Sequence, residues 1–140
     1  MGTNSTYRKT ISASTKNLSD IRDFVAGHAE THGFSGRQIA DIRLAVDEAI
    51  TNIIKHAYKG DDNHSIEITI DFNNERICIE LQDTGSSFDF KDFPEPNIQE
   101  KIKQRKRGGM GVYLIHSLMD DVTYGRQNQS NKMKMCKYRT

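Results

Sequence analysis

Two alternating runs around a short turn constrain the fold of this chain more than any other feature. Residues 65–72 carry isoleucine at every second position from Ile66 to Ile70, and residues 76–82 repeat the alternation after Asn73-Asn74. A period of two predicts strands with one apolar face, and the polar turn predicts that they pair as an antiparallel hairpin. Such a face has to be covered, so we expect helices elsewhere in the chain to pack on one side of the sheet.

The rest of the chain supplies the elements that this sheet needs. Apolar residues at helical spacing predict helices, short alternating runs predict strands, and Ser35 is placed to cap the longest helix. The predicted elements are a strand over 7–13, helices over 18–32 and from 36 to the turn at 60–63, the two hairpin strands, a helix over 112–119, and strands over 122–125 and 132–138. This order predicts an α/β two-layer sandwich of the α+β class, in which three helices cover one face of a mostly antiparallel sheet.

The size and charge of the chain narrow its functional class. Its 140 residues are enough for one domain with its own core, and we expect a single domain. Its net charge of +1 does not favour a general nucleic-acid binder. It has no apolar run near the roughly 20 residues that cross a bilayer, and its first residues lack the apolar core of a secretory signal. We therefore expect a cytoplasmic protein that contacts neither nucleic acid nor membrane directly.

The cysteines and histidines do not indicate a metal site. Cys78 and Cys136 show neither metal-ligand spacing nor a disulfide framework, and each falls in a predicted strand. We expect them to be reduced structural thiols. The five histidines are scattered along the chain and also lack ligand spacing.

The first candidate functional segment lies on the long helix. Glu48 and Asn52 are four residues apart and share a helix face, which His56 continues. This face points nearly away from the isoleucine stripe of the helix, so one interpretation is a solvated surface. The other is chemical, because a carboxylate can orient or deprotonate a hydroxyl and an amide oxygen is a hard ligand suited to Mg²⁺.

The second candidate segment, Asp83-Thr84-Gly85, follows directly on the second hairpin strand. An aspartate at a strand end can accept a hydrogen bond from an exocyclic amine such as that of adenine. Gly85 would let the backbone come close to a flat ligand. The alternative is a simple turn, since the same residue types favour turns.

The third candidate segment, residues 107–111, reads Arg-Gly-Gly-Met-Gly and opens the third helix. Glycines followed by free helix N–H groups form an anion site, although a flexible hinge would look the same. The P-loop and dinucleotide patterns are both absent. The long irregular segment before it, residues 90–107, holds both prolines and a basic cluster, and we interpret it as a lid.

Taken together and in this order, the three segments resemble the ATP-binding domain shared by type II topoisomerases, histidine kinases, MutL-type repair proteins and heat-shock chaperones, known as the Bergerat fold. Residues 47–58, Asp-Glu-Ala-Ile-Thr-Asn-Ile-Ile-Lys-His-Ala-Tyr, and the short length resemble the bacterial anti-sigma factor serine kinases. The resemblance covers roughly residues 7 to 138.

This resemblance implies ATP and Mg²⁺ as cofactors and gives roles to individual residues. Glu48 takes the place of the general base, Asn52 that of the Mg²⁺ ligand, and Asp83 that of the residue that recognises the adenine amine. The ATP-binding residues it implies are Asn52, His56, Asp83, Gly85, Phe88, Arg107, Gly108, Gly109, Met110, Gly111, Val112 and Asn131.

At two positions the sequence departs from the superfamily pattern. Ser87 stands where glycine is frequent, and Ser130-Asn131 stands where Gly-Thr is frequent before the last strand. An amide from Asn131 would then replace a hydroxyl contact to adenine. Both departures concern recognition of the base and leave the phosphate and metal end intact.

The implied function is an ATP-dependent protein serine kinase that acts as an anti-sigma factor. Such proteins bind a sigma factor and phosphorylate a serine of an anti-anti-sigma protein of the STAS type, in a partner-switching system, and they form homodimers. Two alternatives remain open. One is a detached histidine-kinase catalytic domain, although the chain has no room for the helical hairpin that carries the acceptor histidine. The other is a non-enzymatic module whose ATP shapes a docking surface.

Overall fold

A five-stranded antiparallel sheet forms one layer of the computed structural model, which describes residues 4–54, 65–83, 114–127 and 130–139. The strands lie in the order β1-β2-β3-β5-β4, and each neighbouring pair is antiparallel. Their bounds are β1 Ser5–Ser12, β2 Ser65–Phe72, β3 Arg76–Asp83, β4 Asp121–Gln127 and β5 Ser130–Tyr138. The predicted α+β sandwich and its antiparallel sheet are therefore confirmed.

Helices form the second layer. After a 3-10 turn over Thr15–Asn17, α1 spans Leu18–Thr31 and α2 spans Gly36–Asn52; residues 114–118 are helical and are labelled α3. The long predicted helix thus ends at Asn52 among the described residues, followed by a wider helical turn at 53–54. Within the described ranges, no helix is long and apolar enough to cross a membrane.

The connection between α1 and α2 follows from local chemistry. Gly33 adopts φ +86°, and the N–H groups of Gly33 and Phe34 bond to the carbonyls of Glu30 and Ala29, which closes α1 with a Schellman motif. Ser35 then begins α2 as predicted. Its hydroxyl accepts from the backbone of Gln38, whose side chain accepts in turn from the backbone of Ser35.

The core lies between the sheet and the helices. The alternating residues of β2 and β3 that the sequence placed on one face are fully buried there, and α2 covers them with its own apolar stripe. The fully buried residues of this face are Ile66, Ile68, Ile70, Ile77, Ile79 and Leu81, and those of α2 are Ile42, Ala45, Val46, Ala49 and Ile50.

Cys78 and Cys136 form a disulfide, so the prediction of two reduced thiols is wrong. The two residues are register partners on β3 and β5, with Cα atoms 4.1 Å apart, although 58 residues separate them in sequence. Because Ile77 and Ile79 face the helices, Cys78 between them points to the opposite face of the sheet. Sequence spacing could not reveal the pair, because it depends on β5 returning to lie beside β3.

Candidate nucleotide site

Buried polar side chains mark one region of the fold. In the part of the chain that the structure describes, the buried polar residues are Asn52, Asp83, Ser130 and Asn131, with exposed fractions of 5%, 3%, 9% and 2%. Burial of polar groups is costly unless they are paired or meet a ligand. Three of these four residues were implied as site residues by the sequence, and the fourth, Ser130, is adjacent to one of them.

Asp83 and Asn131 are in direct contact at one end of the sheet. They are register partners at the end of β3 and the start of β5, and the amide Nδ2 of Asn131 donates to Oδ1 of Asp83 at 3.0 Å. Both side chains lie on the face of the sheet that carries Leu81, the face that the helices cover. The structure therefore brings together two residues that the sequence placed in one site.

The direction of α2 brings Asn52 to the same end of the sheet. At the start of α2, Gln38 Nε2 donates to the carbonyls of Tyr138 and Arg139, at 3.1 and 2.6 Å. One turn later, Asp41 Oδ2 lies 3.6 Å from Lys137 Nζ. Because α2 shares one core with the sheet, we infer that it runs from these anchors back along β5 and that its last residues approach the first residues of that strand.

Element lengths show how far the helix reaches. Asn52 lies about 16 Å along the helix axis from Asp41. Asn131 lies about 20 Å along β5 from Lys137. Because Asp41 and Lys137 are paired, we infer from the two lengths that Asn52 lies close to the level of the Asp83–Asn131 pair.

Asn52 itself has the features of a ligand-binding residue. Its side chain is buried, and within the described ranges its Nδ2 atom has no hydrogen-bond partner. Such an unsatisfied buried group costs about 1–3 kcal/mol unless a ligand meets it. The solvated-surface interpretation of this helix face is therefore wrong for Asn52. The apolar stripe in the sequence shows which side chains of α2 face the sheet, but it does not show what covers the other faces of the helix. Glu48, one turn earlier, is half-buried.

Sequence reasoning missed Asp47, which precedes Glu48. Its Oδ1 lies 3.4 Å from Nε of Arg22 on α1, close enough for an ion pair, yet that buried oxygen accepts no hydrogen bond in the described part of the chain. Burial raises the pKa of Asp47, and the positive charges of Arg22 and Arg43 offset the effect only in part. Asp47 thus connects α1 to the segment of α2 that carries Glu48.

The remaining predicted site residues lie outside the described residues, together with the lid over 90–107. They are His56, Gly85, Phe88, Arg107, Gly108, Gly109, Met110, Gly111 and Val112. Their roles stay predictions.

The described donor set fits an adenine nucleotide with Mg²⁺. Asp83 offers a carboxylate at a strand end, and Asn52 offers a buried amide whose Nδ2 has no acceptor among the described residues and could donate to a phosphate oxygen. Amide and carboxylate oxygens are suited to Mg²⁺, and a carboxylate is suited to an exocyclic amine. Glu48 adds a second carboxylate on the same helix as Asn52.

Comparison with known proteins identifies sequence relatives of this chain. Residues 11–137 match the family model described as histidine kinase-like ATPase domain. The chain is 36% identical to the serine-protein kinase RsbW of Listeria monocytogenes serotype 4a over 102 residues. This alignment covers 70% of this chain and 65% of that protein. It is also 36% identical to the serine-protein kinase RsbW of Bacillus subtilis over 123 residues, in an alignment that covers 84% of this chain and 76% of that protein.

A solved structure supports the fold. A crystal structure of the RsbU and RsbW domains of a Mycobacterium tuberculosis protein superposes on this chain with a TM-score of 0.62. The match covers 95% of this chain and 32% of that one, at 12% sequence identity. At this identity the likeness concerns the fold alone.

Proposed function

Because the chain belongs to the histidine kinase-like ATPase family, and within it to the group of RsbW serine-protein kinases, we propose that it is an ATP-dependent protein serine kinase acting as an anti-sigma factor. The observation that carries the proposal is the set of buried polar residues at one end of the sheet. The reaction moves the γ-phosphoryl group of ATP to a serine hydroxyl, leaving ADP and phosphoserine.

In this proposal Asp83 and Asn52 hold the two ends of the nucleotide. The carboxylate of Asp83 accepts a hydrogen bond from the adenine amine, and the amide of Asn52 is a ligand of Mg²⁺. Bound with ATP, Mg²⁺ supplies positive charge that offsets the charge on the phosphates during transfer. The family resemblance implies that the phosphates are bound by Arg107 and by the glycines of residues 108–111.

Glu48 accepts the proton of the substrate serine. It lies one helical turn before Asn52 on α2, and side chains at this spacing have Cβ atoms about 6 Å apart. The proton acceptor and the metal ligand are thereby fixed to one rigid helix. In the proposed complex this base lies near the phosphate end of the nucleotide, which is where a serine hydroxyl has to attack.

The partners that the sequence resemblance implies are part of the proposal. We propose that the substrate is an anti-anti-sigma protein of the STAS type, that the dephosphorylated partner competes with a sigma factor for this chain, and that the protein acts as a homodimer. The chain spans 65% of the length of the Listeria relative, so these roles concern the matched region.

The test compares Glu48→Gln with the wild type. With γ-labelled ATP and an anti-anti-sigma protein, we expect the variant to bind ATP as the wild type does and to transfer no label. Glu67→Gln, a change on the exposed face of β2, is the matched control and should transfer normally. Full transfer by Glu48→Gln would remove Glu48 from its role.

The same assay separates the alternatives. Phosphoserine withstands acid, whereas phosphohistidine does not, so an acid-labile product would favour a histidine-kinase type of domain. Partner binding that depends on a non-hydrolysable ATP analogue, without any transfer from ATP, would favour a non-enzymatic switch. A wild-type protein that binds no ATP would contradict the proposal as a whole.

A further inference from the structure

The contact between Asp83 and Asn131 is buried and defined at both ends. Their side chains are 3% and 2% exposed, and Nδ2 of Asn131 donates to Oδ1 of Asp83 at 3.0 Å. On the other side of β3, the register partner of Asp83 is Ile66, which is apolar and fully buried. Strand pairing therefore gives Asp83 one apolar neighbour and one polar neighbour, and the polar neighbour is Asn131.

We propose that Asn131 is a positioning residue: it fixes the carboxylate plane of Asp83 and so sets the preference of the site for a purine with an amine at C6. The inference rests on the proposed function, since it requires that Asp83 meets the base of the nucleotide. It differs from the direct contact between Asn131 and adenine that the sequence implies.

The physical reason lies in the torsions of the aspartate. The second side-chain torsion of Asp is soft, so a carboxylate without a fixed partner samples many orientations. The amide of Asn131 removes this freedom before a ligand arrives, because it is itself buried and carried on the neighbouring strand. Binding of the base then costs less free energy, because the side chain of Asp83 is already ordered.

A fixed carboxylate also discriminates between bases. A carboxylate accepts hydrogen bonds and donates none, so it pairs with the 6-amino group of adenine and is repelled by the 6-keto oxygen of hypoxanthine. Sites built to pair with one polar group reject the analogue that lacks it. If the carboxylate of Asp83 can rotate away from the base, it no longer repels the 6-keto oxygen of hypoxanthine, and the preference of the site for adenine weakens.

The experiment measures the dissociation constants of Mg-ATP and Mg-inosine triphosphate by calorimetry for the full chain and its variants. Asn131→Leu keeps the approximate size of the side chain and removes its donor, whereas Asn131→Thr keeps a donor. We expect the wild type to prefer ATP, Asn131→Leu to lose about tenfold or more of this preference, and Asn131→Thr to retain most of it.

Thermal unfolding establishes that each variant is folded. If Asn131→Leu does not fold, Asn131→Val against Asn131→Thr gives the same comparison between side chains of equal shape. An unchanged ratio in the donor-free variant, or an equal loss of affinity for both triphosphates, would overturn the inference and leave the proposed function in place. A wild type that binds neither triphosphate would overturn the proposed function and this inference with it.

Discussion

The disulfide between Cys78 and Cys136 allows a prediction whose size follows from the structure. The bond joins β3 to β5 and closes a loop defined by a sequence separation of 58 residues. In the chain-entropy description, closing a loop of that length lowers the entropy of the unfolded chain by an amount worth up to about 4 kcal/mol of stability at 25 °C. Reduction should therefore lower the free energy of unfolding by up to this amount.

Urea unfolding of the oxidised and the reduced wild type measures the effect. With a slope of about 2 kcal/mol per molar urea, the expected shift of the midpoint is up to about 2 M. The double variant Cys78→Ser/Cys136→Ser is the control, because its midpoint should be low and should not respond to reductant. Coincident unfolding curves for the oxidised and the reduced wild type would refute the reasoning. Detection of two free thiols in denatured protein that had not been treated with a reductant would refute it as well.

Three further predictions concern α1 and its contacts. Gly27→Ala should stabilise the protein by about 0.5–1 kcal/mol in chemical unfolding, since an added Cβ there meets open space within a helix, whereas Gly33→Ala should destabilise it because φ is +86°. Burial, Arg139 and His28 lower the pKa of His32, so the unfolded chain takes up a proton below about pH 6.5 before the folded one does. The extra stability of the wild type over His32→Gln in thermal unfolding should therefore shrink from pH 8 to pH 5, and a constant difference would contradict the assignment. Because the pKa of Asp47 is raised, its ionised form weakens the folded state at neutral pH. The difference in melting temperature between Asp47→Asn and the wild type should therefore increase in favour of the variant from pH 3 to pH 7. A difference that favours the variant more at pH 3 would be inconsistent with a raised pKa.

Much of the fold was accessible to sequence reasoning because its signals are local. The alternation around Asn73-Asn74 located β2 and β3, and Ser35 located the start of α2. The last strand begins at Ser130, two residues before the predicted start. The polar residues there have weak strand propensity, so the sequence does not predict them as strand, but pairing with β3 and β4 holds them in the sheet. Strand order, by contrast, is a property of distant segments.

The same division applies to the site. Motif order in the sequence is sufficient to predict Glu48, Asn52 and Asp83 as site residues. It did not show that Asn52 is buried, or that Asn131 bonds to Asp83, because both depend on what lies across from a residue in space. The ion pair of Asp47 with Arg22 has no sequence signal either, since helical periodicity describes one helix and not its neighbour.

The place of β5 in the sheet has a consequence for folding kinetics. The β2–β3 and β4–β5 hairpins join segments that are close in sequence, whereas β3 and β5 pair over a long separation. Loop closure of this kind is slow relative to hairpin formation, so we expect the hairpins to form early and the β3–β5 ladder to form late. Asp83 and Asn131 meet only through that ladder. Competence to recognise a base should therefore arise only after the two hairpins have formed, and refolding followed by nucleotide binding should lag behind refolding followed by secondary structure.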